Sequence, residues 1–254
     1  LITAAAAQWH DFELLKSNVF SGMDVKIVDE SEKFSTFIVT GPNSRNLLSE
    51  ITDADLTLGW LTHQKAKVLN IPCMLARVSF AGELGWEIHV GNEDAPAIYS
   101  EIINREAKPF GMFALNSLRI EKGYKAWKGD LSTDYSLLEA GLDRFIKFDK
   151  KIDFRGKKAL QVEQQRGSKK LFTILKVNTN GCDAPYMSTV WHNGEVVGEV
   201  TSGAWGYRVN SSIALCMLKP ELSKAGKVVE IEIYGQRCKA TVHGQDPLWD
   251  PQNL

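Results

Sequence analysis

The segment Arg77–His89 contains the residues best suited to bind a ligand. It has carboxylates at Glu83 and Glu87 among apolar positions, and His89 follows Glu87 by two residues. Residues two apart on a strand share a face, so Glu87 and His89 are predicted to lie side by side. A strand carboxylate among apolar neighbours needs partners, and a ligand edge with two parallel N–H donors would satisfy it as an arginine does.

Two ordinary interpretations of Glu87 compete with ligand binding. Exposed faces of antiparallel strands usually carry charge, so Glu87 could simply be solvated. Alternatively, Arg77 at the start of the same segment could neutralise Glu87 in a salt bridge. The spacing alone favours these structural interpretations over a binding site.

A second polar group lies at the end of a helix predicted from about Met112 to Lys122, stopping at Gly123. Its three cations could bind an anion, and its two aromatic rings could form a wall beside that anion. The alternative is that the two cations on the helix lie on a solvated turn. The group consists of Arg119, Lys122, Tyr124, Lys125 and Trp127.

The elements that must position these residues mix helices and strands in the first part of the chain. Helices are predicted over Thr3–Lys16, Arg45–Ile51, Asp94–Ala107 and Met112–Lys122. Strands are predicted over Val25–Val28 and Phe34–Val39, and over two hairpin arms, Met74–Phe80 and Trp86–Val90. Gly82 and Gly85 permit the tight reversal between the arms. The pattern indicates an α+β domain with an antiparallel sheet.

The pattern changes to short strands after a helix predicted from Asp153 to near Gly167. Asn193-Gly194 separates two strands and fits a type I′ turn. Such a set is typical of a small barrel or jelly roll. We therefore predict one domain over residues 1–165 and an all-β domain over residues 166–254. The strands are Leu171–Val177, Thr189–His192, Glu195–Val200, Ser212–Leu218, Val228–Ile233 and Arg237–Val242.

Composition excludes several classes of protein. Among 254 residues, 30 Lys and Arg balance 31 Asp and Glu, so no nucleic-acid footprint is expected. No apolar run has the length of a membrane span, and no signal peptide is visible. The five histidines lack metal-ligand spacing, so no metal site is predicted. The four cysteines are far apart, which favours free thiols in a reducing compartment.

Four ordered motifs together resemble the folate-binding T-protein superfamily. Within it, the chain is most similar to the C-terminal half of dimethylglycine and sarcosine dehydrogenases. The similarity continues through the Trp191–Gly203 region, so it spans essentially the whole chain. The four motifs are Ser79–Glu87, Asn116–Trp127, Leu138–Leu142 and Asp153–Leu160.

This resemblance implies a T-protein-like folate-binding domain over residues 1–165, lacking its N-terminal part, and a C-terminal barrel domain. It implies tetrahydrofolate as the cofactor and a small N-methyl amine as the substrate. FAD is expected only in a flavin domain upstream of this chain, and the catalytic aspartate of the family is also expected upstream. A bacterial protein of this kind is expected in the cytoplasm, and a eukaryotic one in the mitochondrial matrix.

The resemblance also implies particular folate contacts. Glu87 matches a glutamate that accepts two pterin N–H groups, with Ile88 and His89 as neighbouring contacts. Phe80 and Arg144 stand where relatives carry folate-contacting tyrosines. Arg119 and Tyr124 belong to the second motif and complete the candidate set.

Three alternative functions stay open. Leu115 stands where the glycine-cleavage T-protein has an arginine, and this difference favours the dehydrogenase branch. The first alternative is a stand-alone aminomethyl or methyl transferase of the same fold, which would also use folate. A folate-binding module for iron–sulfur cluster assembly would carry a cysteine where this chain has Tyr124. A scaffold that only packs against a catalytic domain would bind no folate at all.

Overall fold

The structure is a computed structural model that describes residues 1–179 and 181–251. The chain forms two compact units, Leu1–Met112 and Phe113–Leu254. The domain boundary that we place after residue 165 rests on sequence and stays a prediction. The last residues of the predicted barrel domain, 252–254, lie outside the described part.

The first unit is built around a four-stranded antiparallel sheet. Its strands are β1 (Phe34–Thr40), β2 (His63–Val68), β3 (Ile71–Ala76) and β4 (Gly85–Gly91). The order across the sheet is β1-β4-β3-β2, so β4 has a hydrogen-bonded neighbour on each edge. The helices of this unit are α1 (Gln8–Ser17), α2 (Ser44–Ser49) and α3 (Ala95–Asn104).

One face of β4 carries the core of this unit. Trp86, Ile88 and Val90 are each fully buried, as their alternation predicts. They pack in one cluster with Leu48 of α2 and Ile98 of α3. Residues 87 and 89 must therefore project to the opposite face.

One strand prediction in this unit is wrong, and one strand was not predicted. Val25–Val28 is not a strand; both valines are 51% exposed, and none of the residues that the structure describes pairs with the segment. β2 was not predicted at all, because HQKAKV is polar and charged. It forms because its backbone pairs with β3 from His63↔Ala76 to Val68↔Ile71, which shows that pairing outweighs side-chain preference at a sheet edge.

The predicted hairpin forms, but its connection is longer than expected. β3 ends at Ala76 instead of Phe80, and residues 77–84 make the connection. Gly82 has φ of +73° and supports the reversal as predicted. Gly85 serves a different purpose, because a Cβ there would lie 2.9 Å from Thr40 Oγ1. Its lack of a side chain lets β4 approach β1 closely.

The second unit contains a closed six-stranded barrel, which confirms the predicted all-β part. The strand order is β10-β5-β8-β7-β6-β9, and β9 pairs with β10 to close it. Helices α4 (Met112–Glu121) and α5 (Lys157–Arg166) precede the barrel. The strands are β5 (Leu171–Val177), β6 (Thr189–His192), β7 (Glu195–Gly206), β8 (Ser211–Leu218), β9 (Val228–Ile233) and β10 (Gln236–Gly244).

Local turn chemistry explains where these elements begin and end. Asn193 and Gly194 have φ of +52° and +82°, as a type I′ turn between β6 and β7 requires. α5 begins later than predicted, at Lys157, because Gly156 has φ of +90° and cannot belong to the helix. Gly167 follows its end, as predicted.

The barrel strands are buried on two sides. The interior cluster includes Leu175 and Cys216, whereas Phe172 and Met217 belong to a second cluster with Ile120 of α4. The helix before the barrel therefore covers part of its outer surface. No helix within residues 1–179 and 181–251 combines the length and apolar character needed to cross a bilayer.

Gly198 on β7 tests the packing of the barrel wall. A Cβ there would lie 2.2 Å from the carbonyl oxygen of Met217, a backbone atom that cannot move aside. Gly198→Ala should therefore lower the free energy of unfolding by about 2 kcal/mol. The control is Val196→Thr, because Val196 lies on the same strand and is 53% exposed. This variant should change the free energy of unfolding by less than about 0.5 kcal/mol. Equal urea midpoints for the two variants would contradict this packing.

Candidate functional site

The predicted Glu87–His89 pair forms on the face of β4 that points away from the core. His89 Nε2 lies 3.2 Å from Glu87 Oε2, and their side chains are only 12% and 22% exposed. Among the described residues, no Lys or Arg forms an ion pair with Glu87. A largely buried carboxylate with so few partners is costly unless something else binds it.

Only one ring nitrogen of His89 has a hydrogen-bond partner in the described part of the chain. Its Nδ1 lies 2.9 Å from Thr36 Oγ1, across the β1–β4 pairing. Its Nε2 is buried, and the contact with Glu87 lacks hydrogen-bond alignment, so this nitrogen has no hydrogen-bond partner among the described residues. A buried nitrogen in this state costs free energy that a ligand would recover. The sequence reasoning missed Thr36, which only the register of β1 against β4 identifies.

The predicted alternative of a salt bridge between Arg77 and Glu87 is wrong. Arg77 donates from Nη1 to the carbonyl oxygen of Gly85 at 3.3 Å. Its guanidinium lies 4.8 Å from the centroid of the Trp86 ring, a favourable cation–π distance. Burial and the nearby Arg45 lower the pKa of Arg77. The carboxylate of Glu87 is therefore left to other partners.

The connection that leads into β4 is fixed by one carbonyl group. The oxygen of Leu84 accepts from Gly41 N at 2.8 Å, from Ser44 Oγ at 3.1 Å and from Thr40 Oγ1 at 3.2 Å. These contacts tie the connection to the end of β1 and the start of α2. Phe80, a predicted folate contact, lies half-buried in this connection.

Ile88 has a different environment from its neighbours. Its side chain is fully buried in the core of the first unit, on the opposite face from Glu87. Its strand also has neighbours on both edges. Ile88 therefore supports the position of Glu87 and His89 through packing, and its side chain cannot reach a ligand on their face.

Arg119 of the second unit is buried and fully bonded, so the expected solvated helix turn is wrong. It is 4% exposed, and its Nη1 donates to Asp130 Oδ2 at 2.6 Å and to Tyr124 O at 2.8 Å. Nε and Nη2 donate to Asn116 Oδ1, and Nη2 also donates to Ser202 Oγ. All five N–H groups of the guanidinium thus have acceptors. Arg119 stabilises the fold and is not available to bind an anion.

Asp130 is the centre of this network, and sequence reasoning missed it. It is fully buried and accepts hydrogen bonds from Thr201 Oγ1 at 2.5 Å, Ser202 Oγ at 2.9 Å and Ala126 N at 2.8 Å, besides Arg119. A cavity of about 580 Å³ opens beside it. The cavity is lined by Asn116, Arg119, Lys128, Gly129, Ala184, Pro185, Tyr186, Thr201, Ser202 and Gly203.

The other predicted residues of the second unit lie in separate settings. Lys122 is 3% exposed and bonds to Asp250 Oδ2 at 2.9 Å, so it is not on a solvated turn either. Tyr124 is half-buried, and burial raises the pKa of its hydroxyl. Arg144 is exposed, and its guanidinium lies 4.7 Å from the centroid of the Phe145 ring.

Comparison with known protein families accounts for this architecture. The family model for the GCVT N-terminal domain matches residues 1–150. The family model for the glycine cleavage T-protein C-terminal barrel domain matches residues 169–250. The chain belongs to the glycine cleavage T-protein family. The second match covers the closed barrel, and the first covers the sheet that carries Glu87 and His89.

Two relatives of this T-protein family chain are mitochondrial dehydrogenases. It is 36% identical to dimethylglycine dehydrogenase of Rattus norvegicus, over 98% of this chain and 30% of that protein. It is 32% identical to sarcosine dehydrogenase of Mus musculus, over 90% of this chain and 26% of that protein. The chain thus spans less than a third of the length of these relatives.

A solved structure shows the same T-protein fold. Aminomethyltransferase T of the glycine cleavage system from Bartonella henselae superimposes with a TM-score of 0.83 and 22% sequence identity. The match covers 94% of this chain and 66% of that one. The predicted α+β fold with its barrel is confirmed.

The Asp130 network provides a stability test. Asp130→Asn removes the charge that compensates the buried Arg119, which should cost about 3 kcal/mol of unfolding free energy. The matched control is Glu195→Gln, since Glu195 and Lys219 form an ion pair of 3.9 Å whose side chains are 78% and 44% exposed. That change should cost less than about 1 kcal/mol. Chemical denaturation measures both, and equal losses would contradict the structural role of Asp130.

Proposed function

We propose that this chain is the tetrahydrofolate-binding, aminomethyltransferase-like part of a flavin-dependent dehydrogenase. The enzyme would oxidise N-methylated glycines of the dimethylglycine or sarcosine type and pass the one-carbon unit to folate. The observation that carries the proposal is the Glu87–His89 pair, a largely buried carboxylate beside an imidazole nitrogen that lacks a hydrogen-bond partner in the described part of the chain. The identity to two dehydrogenases over nearly the whole chain supports the choice of enzyme class.

The Glu87 side of the sheet fits the pterin of tetrahydrofolate. Its carboxylate can accept two parallel N–H groups from one heterocycle edge, and such charge-assisted pairs are short and strong. His89 Nε2, 3.2 Å from Glu87 Oε2, would exchange one further hydrogen bond with the ligand, while Thr36 fixes its ring. Folate supplies the nitrogen that takes up the one-carbon unit, and the role of these residues is to bind and orient it.

The remaining predicted contacts are assigned by resemblance. Phe80 would pack against the pterin where relatives use a tyrosine, whereas Arg144 and Tyr124 stay folate contacts expected from the resemblance alone. We propose no catalytic residue within residues 1–254, because the catalytic aspartate of the family is expected upstream. FAD and the amine site are proposed to belong to the part of the dehydrogenases that this chain does not match. A reducing compartment is proposed, the mitochondrial matrix in a eukaryote or the cytoplasm in a bacterium.

Glu87→Gln tests the ligand assignment. The amide keeps the size of the side chain but removes the charge and one acceptor, so the affinity for tetrahydrofolate should fall at least about tenfold. Titration calorimetry measures the affinity, and thermal unfolding with folate measures the linked stabilisation. Glu83→Gln, in the connection before β4, is the matched control and should bind as the unchanged protein does. Equal affinity in Glu87→Gln would refute the pterin contact.

The flavin part is tested on the product of the native gene at its full length. Anaerobic addition of dimethylglycine or sarcosine should bleach the flavin absorbance, because the N-methyl amine transfers a hydride equivalent to the flavin. Glycine, which has no N-methyl group, is the control and should leave the spectrum unchanged. A purified protein that binds tetrahydrofolate but contains no flavin would instead identify a stand-alone folate-dependent transferase.

A further inference from the structure

Lys125 has an unusual setting in the second unit. It follows α4 and Gly123, and its side chain is half-buried. Its Nζ lies 3.9 Å from the centroid of the Phe172 ring, and Phe172 is fully buried on β5. The amine is therefore packed against an apolar surface of the barrel instead of extending into solvent.

Lys125 also differs from other lysines of this unit in its partners. Lys122 bonds to Asp250, and Lys170 bonds to Glu199 at 2.5 Å. No carboxylate or other acceptor bonds to Lys125 within residues 1–179 and 181–251. Asp130, the nearby buried acid, is already bonded to Arg119 and three further donors.

The surroundings of Lys125 favour its neutral form, mainly through burial. Burial, and after it the Arg144 guanidinium, lower the pKa of Lys125 to about 8, although Asp130 and Asp143 act in the opposite direction. The face of the Phe172 ring also favours the ammonium ion. The net result is an amine that is partly neutral near pH 7, whereas an ordinary lysine is almost entirely charged there.

We propose that Lys125 is a nucleophilic amine that reversibly captures a small aldehyde as an imine. Lysines that serve this purpose are desolvated, and Lys125 is half-buried against the ring of Phe172 without a bonded acceptor in the described part of the chain. The neutral Nζ forms a bond to the carbonyl carbon, and a proton moves from nitrogen to oxygen to give a carbinolamine. Loss of water then gives the carbon–nitrogen double bond. No oxidant or reductant is consumed, and hydrolysis returns the amine and the aldehyde.

Reductive trapping on the intact 254-residue chain tests this role. Brief exposure to dilute formaldehyde and cyanoborohydride converts each imine into a methylated lysine, which peptide mass spectrometry locates. Lys128, exposed and three residues away, is the internal reference. At pH 7 a pKa near 8 leaves roughly a tenth of the amine neutral, against less than about a thousandth for an ordinary lysine. Lower basicity and partial burial reduce this advantage, so Lys125 should be labelled at least about fivefold faster.

Three variants separate nucleophilicity from structure. Lys125→Arg keeps the positive charge but has no primary amine, so the rapidly labelled peptide should disappear while the circular dichroism spectrum is retained. Arg144→Gln removes the neighbouring cation and should slow labelling of Lys125 at pH 7 by at least about twofold. Lys128→Arg should leave the rapid site unchanged.

The outcome does not depend on folate or flavin, so it is distinguishable from the outcome for the pterin site. At pH 10, where even an ordinary lysine has a substantial neutral fraction, the advantage of Lys125 should largely disappear. If Lys125 is labelled no faster than Lys128 at pH 7, the proposal is overturned, and Lys125 is an ordinary charged side chain packed on Phe172. An Arg144→Gln variant with unchanged labelling would overturn the part assigned to Arg144.

Discussion

The central position of β4 is the constraint on which the proposed pterin site depends. Trp86, Ile88 and Val90 are fully buried on one face, and β1 and β3 pair with β4 on its two edges. Side chains on a strand alternate with a period of two, so a slip by one residue would turn Glu87 towards the apolar core and Trp86 away from it. The core therefore forces Glu87 and His89 to the other face, and two pairing partners keep them there. This makes the carboxylate rigid and available at the same time.

In the second unit, the buried Asp130 takes the corresponding organising role. It ties Arg119 of α4 to Thr201 and Ser202 of β7, and it holds the backbone N–H of Ala126. Because Ala126 follows Lys125 directly, the same network fixes the chain beside the candidate amine. Arg119 is neutralised by Asp130, so it is not free to bind a ligand in this region.

Local patterns predicted the parts of the fold that depend on local chemistry. Asn193-Gly194 identified a hairpin because only residues tolerant of positive φ fit that turn, and the alternation around Glu87 identified the face on which it lies. β2 escaped prediction because its pairing with β3, not its side chains, makes it a strand. Two of the partners of Arg119, Asp130 and Ser202, lie 11 and 83 residues away, so no local pattern could show that all of its donors were occupied. The pairing of His89 with Thr36 likewise depends on register.

The most direct test of the account combines a change in the protein with a change in the ligand. Calorimetry would compare tetrahydrofolate with an analogue that lacks the 2-amino group of the pterin, in the unchanged protein and in Glu87→Gln. If Glu87 accepts the N–H of that group, the analogue should bind the unchanged protein at least about tenfold more weakly. The analogue should bind Glu87→Gln almost as well as tetrahydrofolate does, because the change in the protein and the change in the ligand remove the same interaction. Losses that simply add would show that Glu87 and the pterin edge do not interact, and would contradict the account.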